Sequence, residues 1–267
     1  GAGWYGLLAD DESAPDLLEA IWADIAARTP MAELANDWLV WGTTVESMGV
    51  PFPAVSPYQT GLTEWGQRQL RRTLESHVDF EAIPRLATAD APGLIVGTVD
   101  INAGEFETFT DENVSVEAVL ASAAVPELFE AVEIDGDYHW DGLFSQNPPI
   151  RDLFHVPVER KPDELWVVQI NPQTCDDEPK SLREIIDRRN ELAGNLSLNQ
   201  ELHFTREMNE LLAEGQLPAD EYKHTTIRRI QLNGDFTYAT KLDRSWAFIE
   251  ELLEQGTQRA DEFLASL

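Results

Sequence analysis

The spacing of hydrophobic positions changes twice along the chain and divides it into thirds. In the first third apolar residues recur at helical intervals. Leu17, Leu18, Ile21, Trp22 and Ile25 fall on one face of a helix that Ser13 can cap and Pro15 can start. Further helical stretches run from about 31 to 45 and from 63 to 77. Between them, residues 49–57 carry Pro51, Pro53 and Pro57, which forces an extended loop. The middle third shortens the period. Residues 94–101 read as a buried strand, Asn102 to Gly104 as a turn, and the alternating residues 105–110 as its partner. A short helix over 116–123 ends at Val125-Pro126. A hairpin then spans 132–140, with Asp135-Gly136 as its two-residue turn. The last third predicts a strand at 164–170, a long helix from 181 to about 213, a strand at 225–232 and a closing helix from about 244 to 264. Gly194 is expected to break or bend the long helix. Helices between strands make the chain α/β, with hairpins giving a mixed sheet flanked by helices. With no Gly/Ser linker, residues 1–267 read as one domain.

Composition narrows what such a domain can bind. There are 49 acidic against 19 basic residues, a net charge of −30, and only 4 of the 19 are lysine. That balance excludes unassisted nucleic-acid binding, which depends on neutralising phosphates, and a polybasic grip on anionic lipid. The 8 Trp, 11 Phe and 5 Tyr argue for a folded acidic protein, because disordered acidic chains are poor in aromatics. An acidic, lysine-poor surface fits concentrated salt, where the Debye length falls to about 3 Å at 1 M and self-repulsion is screened. The single cysteine, Cys175, cannot form an intrachain disulfide and suits a cytoplasmic location. No apolar run is long enough to span a membrane. The sequons at Asn113 and Asn195 read as chance, with Asn113 or Ser115 serving as a helix cap.

Candidate chemistry is sparse. Gly1-Ala2-Gly3-Trp4-Tyr5-Gly6, with Asp24 downstream, matches a dinucleotide fingerprint, but no strand leads into it and Trp4-Tyr5 fit the turn badly. Asp141-Gly142 falls where a strand ends, so Asp141 is either a positioned base or a turn residue, with Gly142 supplying a permissive backbone. Asp137, His139 and Asp141 alternate on one strand face, either as a divalent-metal cluster or as the polar side of an edge hairpin. His77, His155, His203 and His224 show no ligand or triad spacing, and none of the eleven serines lies in a GxSxG elbow.

Two segments carry a resemblance. Ala-Ser-Ala-Ala-Val-Pro-Glu-Leu-Phe at 121–129, then the hairpin, then Trp-Asp-Gly-Leu-Phe-Ser-Gln-Asn-Pro-Pro-Ile at 140–150, resemble the patatin-like phospholipases. The residues at 195–203 and the final helix are similar to a bacterial and archaeal branch of that family. The resemblance implies a Ser-Asp dyad acting on lipid or other acyl esters. Asp141 would be the base and Gly142 its partner glycine, with no cofactor and no metal. Leu143 departs from the usual Gly or Ala. The resemblance also implies a Gly-rich oxyanion loop, a strand and a GxSxG elbow ahead of the segment that begins at Trp4. Their absence from the sequence predicts that this chain alone is inactive. Two alternatives stay open: an esterase acting on storage polyester, and a non-catalytic binding or scaffold protein that kept the fold.

Overall fold

A computed structural model describes residues 1–9, 13–47, 56–59, 61–88, 90–126, 128–144, 147–175, 178–232, 234, 236 and 238–267. Most of the proline-rich loop, Phe52 included, lies outside them. The chain forms two compact units: Gly1–Arg28 with Pro51–Ser145, and Thr29–Val50 with Gln146–Leu267. Its elements begin with helices α1 (Ala2–Leu8), α2 (Ala14–Ile25), α3 (Pro30–Ser47), α4 (Leu62–His77) and α5 (Ile83–Leu86). Strands β1 (Ile95–Asp100) and β2 (Glu105–Thr110), helix α6 (Val116–Ala121), and strands β3 (Val132–Ile134) and β4 (Asp137–Asp141) follow. The remainder is β5 (Glu164–Gln169), α7 (Leu182–Ala213), β6 (Thr226–Gln231), α8 (Tyr238–Lys241) and α9 (Trp246–Ala265).

The first unit holds an antiparallel sheet in the order β2-β1-β4-β3. Both predicted hairpins form, because short Gly-containing turns allow adjacent strands to fold back. Asp135 and Gly136 both take positive φ (53° and 101°), which matches the twist of the β3–β4 ribbon. Ser13 caps α2 by accepting the Asp16 N–H, and Ser115 caps α6 by accepting the Ala118 N–H at 3.2 Å. The face expected on α2 is narrower than its hydrophobic pattern. Leu17 and Ile21, one turn apart, are buried, whereas Leu18 and Trp22 face outward. The core gathers Val78, Ile83, Leu94, Val96 and Val114, and a second cluster joins Leu74, Val116 and Leu120.

The second unit pairs β5 with β6 in parallel, from Glu164↔Thr226 to Gln169↔Gln231, with α7 in the connection between them. A parallel pair needs such a crossover. The expected α/β composition and both strand orientations are therefore present, with each orientation in its own sheet. Helix α7 starts at a capping box of Ser181 and Glu184 and runs through Gly194 without a break. A Cβ at Gly194 would lie 3.2 Å from Asn147 Nδ2, a close approach that the amide would have to yield to. Asn195 is buried and bonded to Gln169 and the Pro172 carbonyl, which explains why its sequon is fortuitous. Ile150, Leu165, Val167, Leu198 and Leu202 form this unit's core.

Candidate active site

Strand β4 carries the candidate base into the interior of the first unit. It lies between β1 and β3 and is not an edge strand. In the β1–β4 register Thr98 faces Asp141 and Asp100 faces His139. Thr98 is fully buried. The Asp141 N–H donates to the Ala124 carbonyl at 3.1 Å, and this bond joins the two sequence segments of the resemblance. Ala121 and Ala124 are buried there, so small side chains let the helix end and the strand end meet.

The Asp141 side chain is held through the backbone. Its Oδ1 accepts the Leu143 N–H at 3.0 Å. That bond uses the backbone, so leucine in place of Gly or Ala at 143 leaves the donor intact. No cation pairs with the carboxylate among the described residues. Burial therefore dominates and pushes the Asp141 pKa up from 3.8 to about 6, against the opposing pull of the Leu143 amide. Gly142 is buried, and a Cβ on it would approach the Gly97 carbonyl oxygen to 3.0 Å and the Thr98 nitrogen to 3.3 Å. Its φ is not in the left-handed region. The expected reason for glycine is thus corrected: closeness to β1 requires it, and backbone permissiveness does not.

The alternating trio Asp137, His139 and Asp141 is neither of the arrangements expected of it. Asp137 is exposed, but His139 is 1% exposed and therefore does not face solvent. His139 Nε2 lies 2.6 Å from Glu107 Oε2 and Nδ1 lies 3.2 Å from the Asp137 carbonyl, while its ring meets Phe109 edge-on. This buried imidazole bonds across the sheet to a carboxylate on β2. Among the described residues no group of three or more His, Cys, Asp or Glu could hold a metal. Nothing in the local pattern marks Glu107 or Thr98 as neighbours, because their closeness depends on cross-strand register. His77 pairs with Asp24 at 2.8 Å, His203 lies 3.9 Å from Glu207, and His155 and His224 are exposed. The Gly1–Gly6 run is helical from Ala2, so it forms no phosphate-binding turn. Trp41 and Tyr58 are both exposed; Trp41 meets Trp38 edge-on and the Tyr58 hydroxyl accepts the Ala131 N–H.

The family model of the patatin-like phospholipases matches residues 2–154, more than half of the chain and all of the Asp141 site. The chain belongs to the patatin-like phospholipase family. The family is one of lipid acyl hydrolases, which act on lipid esters. No curated protein matches the chain. The patatin-like match begins in α1 and ends in the helical turn Ile150–Phe154, so β5, α7, β6 and α9 lie beyond it. Among the described residues no helix is long and apolar enough to cross a membrane.

Proposed function

We propose that Asp141 is the general base of a Ser-Asp dyad that hydrolyses carboxyl esters of lipids. The observation that carries this reading is a carboxylate at the end of an interior strand that accepts the Leu143 amide, meets no cation among the described residues, and has its pKa raised to about 6. A structural aspartate is ordinarily stabilised in the opposite direction, by a cation or several donors. An acid with a pKa near neutrality exchanges protons efficiently with a hydroxyl in the transition state.

The steps follow from that chemistry. Asp141 takes the serine proton as the serine oxygen attacks the ester carbonyl. The tetrahedral intermediate collapses to an acyl-serine, and the protonated Asp141 gives its proton to the departing alkoxide. Water then attacks the acyl-serine carbonyl as Asp141 takes its proton. The second tetrahedral intermediate collapses with loss of the serine oxygen, Asp141 returns the proton to that oxygen, and the acid is released. None of the eleven serines lies in a GxSxG elbow, so the proposal assigns the nucleophile to residues of the natural polypeptide outside these 267. Chain 1–267 by itself should then be inactive. The −30 charge and lysine scarcity support work in concentrated salt, and the lone cysteine supports a cytoplasmic site.

The missing elbow also supports a second reading, a scaffold that kept the fold without the nucleophile. Treatment of the full natural polypeptide with a fluorophosphonate, followed by peptide mass analysis, separates the two. The enzyme reading expects one labelled serine in a GxSxG peptide. An unlabelled protein would favour the scaffold.

A further inference from the structure

The second unit contains a cleft of about 790 Å³ lined wholly by its own residues. That volume is in the range of small-molecule sites. Its apolar surface comes from Phe154, Val156, Phe204, Met208, Leu217 and Tyr222. Phe204 is 50% exposed in it, a cost in free energy that a bound apolar group would remove. The frame behind the cleft is well fixed. The Asn209 side chain donates to the Thr225 carbonyl at 2.8 Å and accepts the Thr225 N–H at 3.0 Å, and the Thr225 hydroxyl donates to the Pro162 carbonyl at 2.8 Å.

The charges on this cleft are unusual for so acidic a chain. Of four lysines in the sequence, Lys161 and Lys223 both line it. Lys223 is neutralised by Asp163 at 2.7 Å and also donates to the Lys161 carbonyl at 3.0 Å. Lys161 differs. Its Nζ donates to the Phe154 carbonyl at 2.6 Å and sits 5.9 Å from the centre of the Tyr222 ring, and among the described residues it has no carboxylate partner. An ammonium has three donors, so Lys161 keeps capacity for an anion while its stem borders apolar wall. Glu159, Asp220 and Glu221 also belong to the lining, but all three are exposed, where solvent and salt screen them.

We propose that this cleft binds a single-chain anionic amphiphile of the long-chain fatty-acid class, with its carboxylate on Lys161 and its chain along Phe204 and Met208. The choice of a carboxylate head rests on the family's action on lipid esters, whose hydrolysis releases such acids, and does not depend on Asp141 being the base. Binding is therefore measured with no ester present, by displacement of a fluorescent fatty acid, cis-parinarate, from the full chain below micellar concentrations. Oleate should bind saturably and at least tenfold more tightly than oleyl alcohol, which has the same chain and no charge. Lys161→Gln should raise the oleate Kd at least tenfold and leave oleyl alcohol within twofold. Met208→Trp, which fills the cleft, should weaken both at least tenfold. Equal affinity of the wild type for oleate and oleyl alcohol would overturn the proposal, and this comparison needs no variant to fold. So would an oleate Kd unmoved by either substitution.

Discussion

Strand β4 is bordered by two Asp-Gly pairs that look alike in sequence and do opposite work. Asp135-Gly136 precedes it in open solvent: both residues take positive φ and nothing lies within 4 Å of where a Gly136 Cβ would be. The pair is there for its backbone, which turns the chain in two residues. Asp141-Gly142 ends the strand in the interior. Here the glycine has an ordinary φ and is required by the 3.0 Å approach of the Gly97 carbonyl, and among the described residues the aspartate faces no cation. One Asp-Gly makes a turn, and the other sets a half-buried carboxylate, the proposed base, beside β1. Burial, not the dipeptide, separates them.

Substitution at each pair should expose the difference. Asp141→Asn keeps an oxygen that can accept the Leu143 N–H but cannot take a proton. In the full natural polypeptide ester turnover should fall by about 10²–10⁴-fold. The same variant should be more stable than wild type at pH 7. A folded pKa of about 6 against 3.8 means that the native state holds this proton more tightly than the unfolded chain. Stability from this group is thus full below about pH 4 and is lost as pH rises through about 6. At pH 7 the wild type carries that cost, up to about 3 kcal/mol, and asparagine does not. Thermal melts at pH 4 and 7 would show a gap between the two proteins that opens with pH; a gap that closes would contradict the assigned burial.

Gly142→Ala comes next. Its methyl group meets backbone on β1, which cannot rotate away as a side chain could. A loss of about 1–3 kcal/mol in stability is expected, with a fall in turnover as Asp141 is displaced. Gly136→Ala should have the smallest effect. It strains a residue at φ 101° by about 1–2 kcal/mol and leaves turnover within twofold of wild type. If the two alanine variants lost activity equally, the two pairs would not differ as described.

The same contrast explains what could be read from the sequence. Asp135-Gly136 was legible because its signal is local, as were the Ser13 cap and both hairpins, while of the two cap candidates Asn113 and Ser115 the structure uses Ser115. Asp141 was picked out by position and by the family motif, whose two segments turn out to be joined by the Asp141–Ala124 backbone bond. The steric role of Gly142 was not legible, because Gly97 becomes its neighbour only through the β1–β4 register. His139 was misplaced on a solvent-facing edge for the same reason: the strand order that buries it beside Glu107 is a tertiary fact. Gly194 does not break α7, and the nearness of the Asn147 side chain to it is likewise a tertiary fact.

If Asp141 is the base, its raised pKa governs the pH dependence of kcat/KM for ester hydrolysis by the full natural polypeptide. Because the base must be ionised to accept the serine proton, kcat/KM should fall about tenfold per pH unit below a midpoint near 6. A rate that holds level down to pH 5 and falls only near pH 4 would place Asp141 among ordinary solvated aspartates and contradict the account.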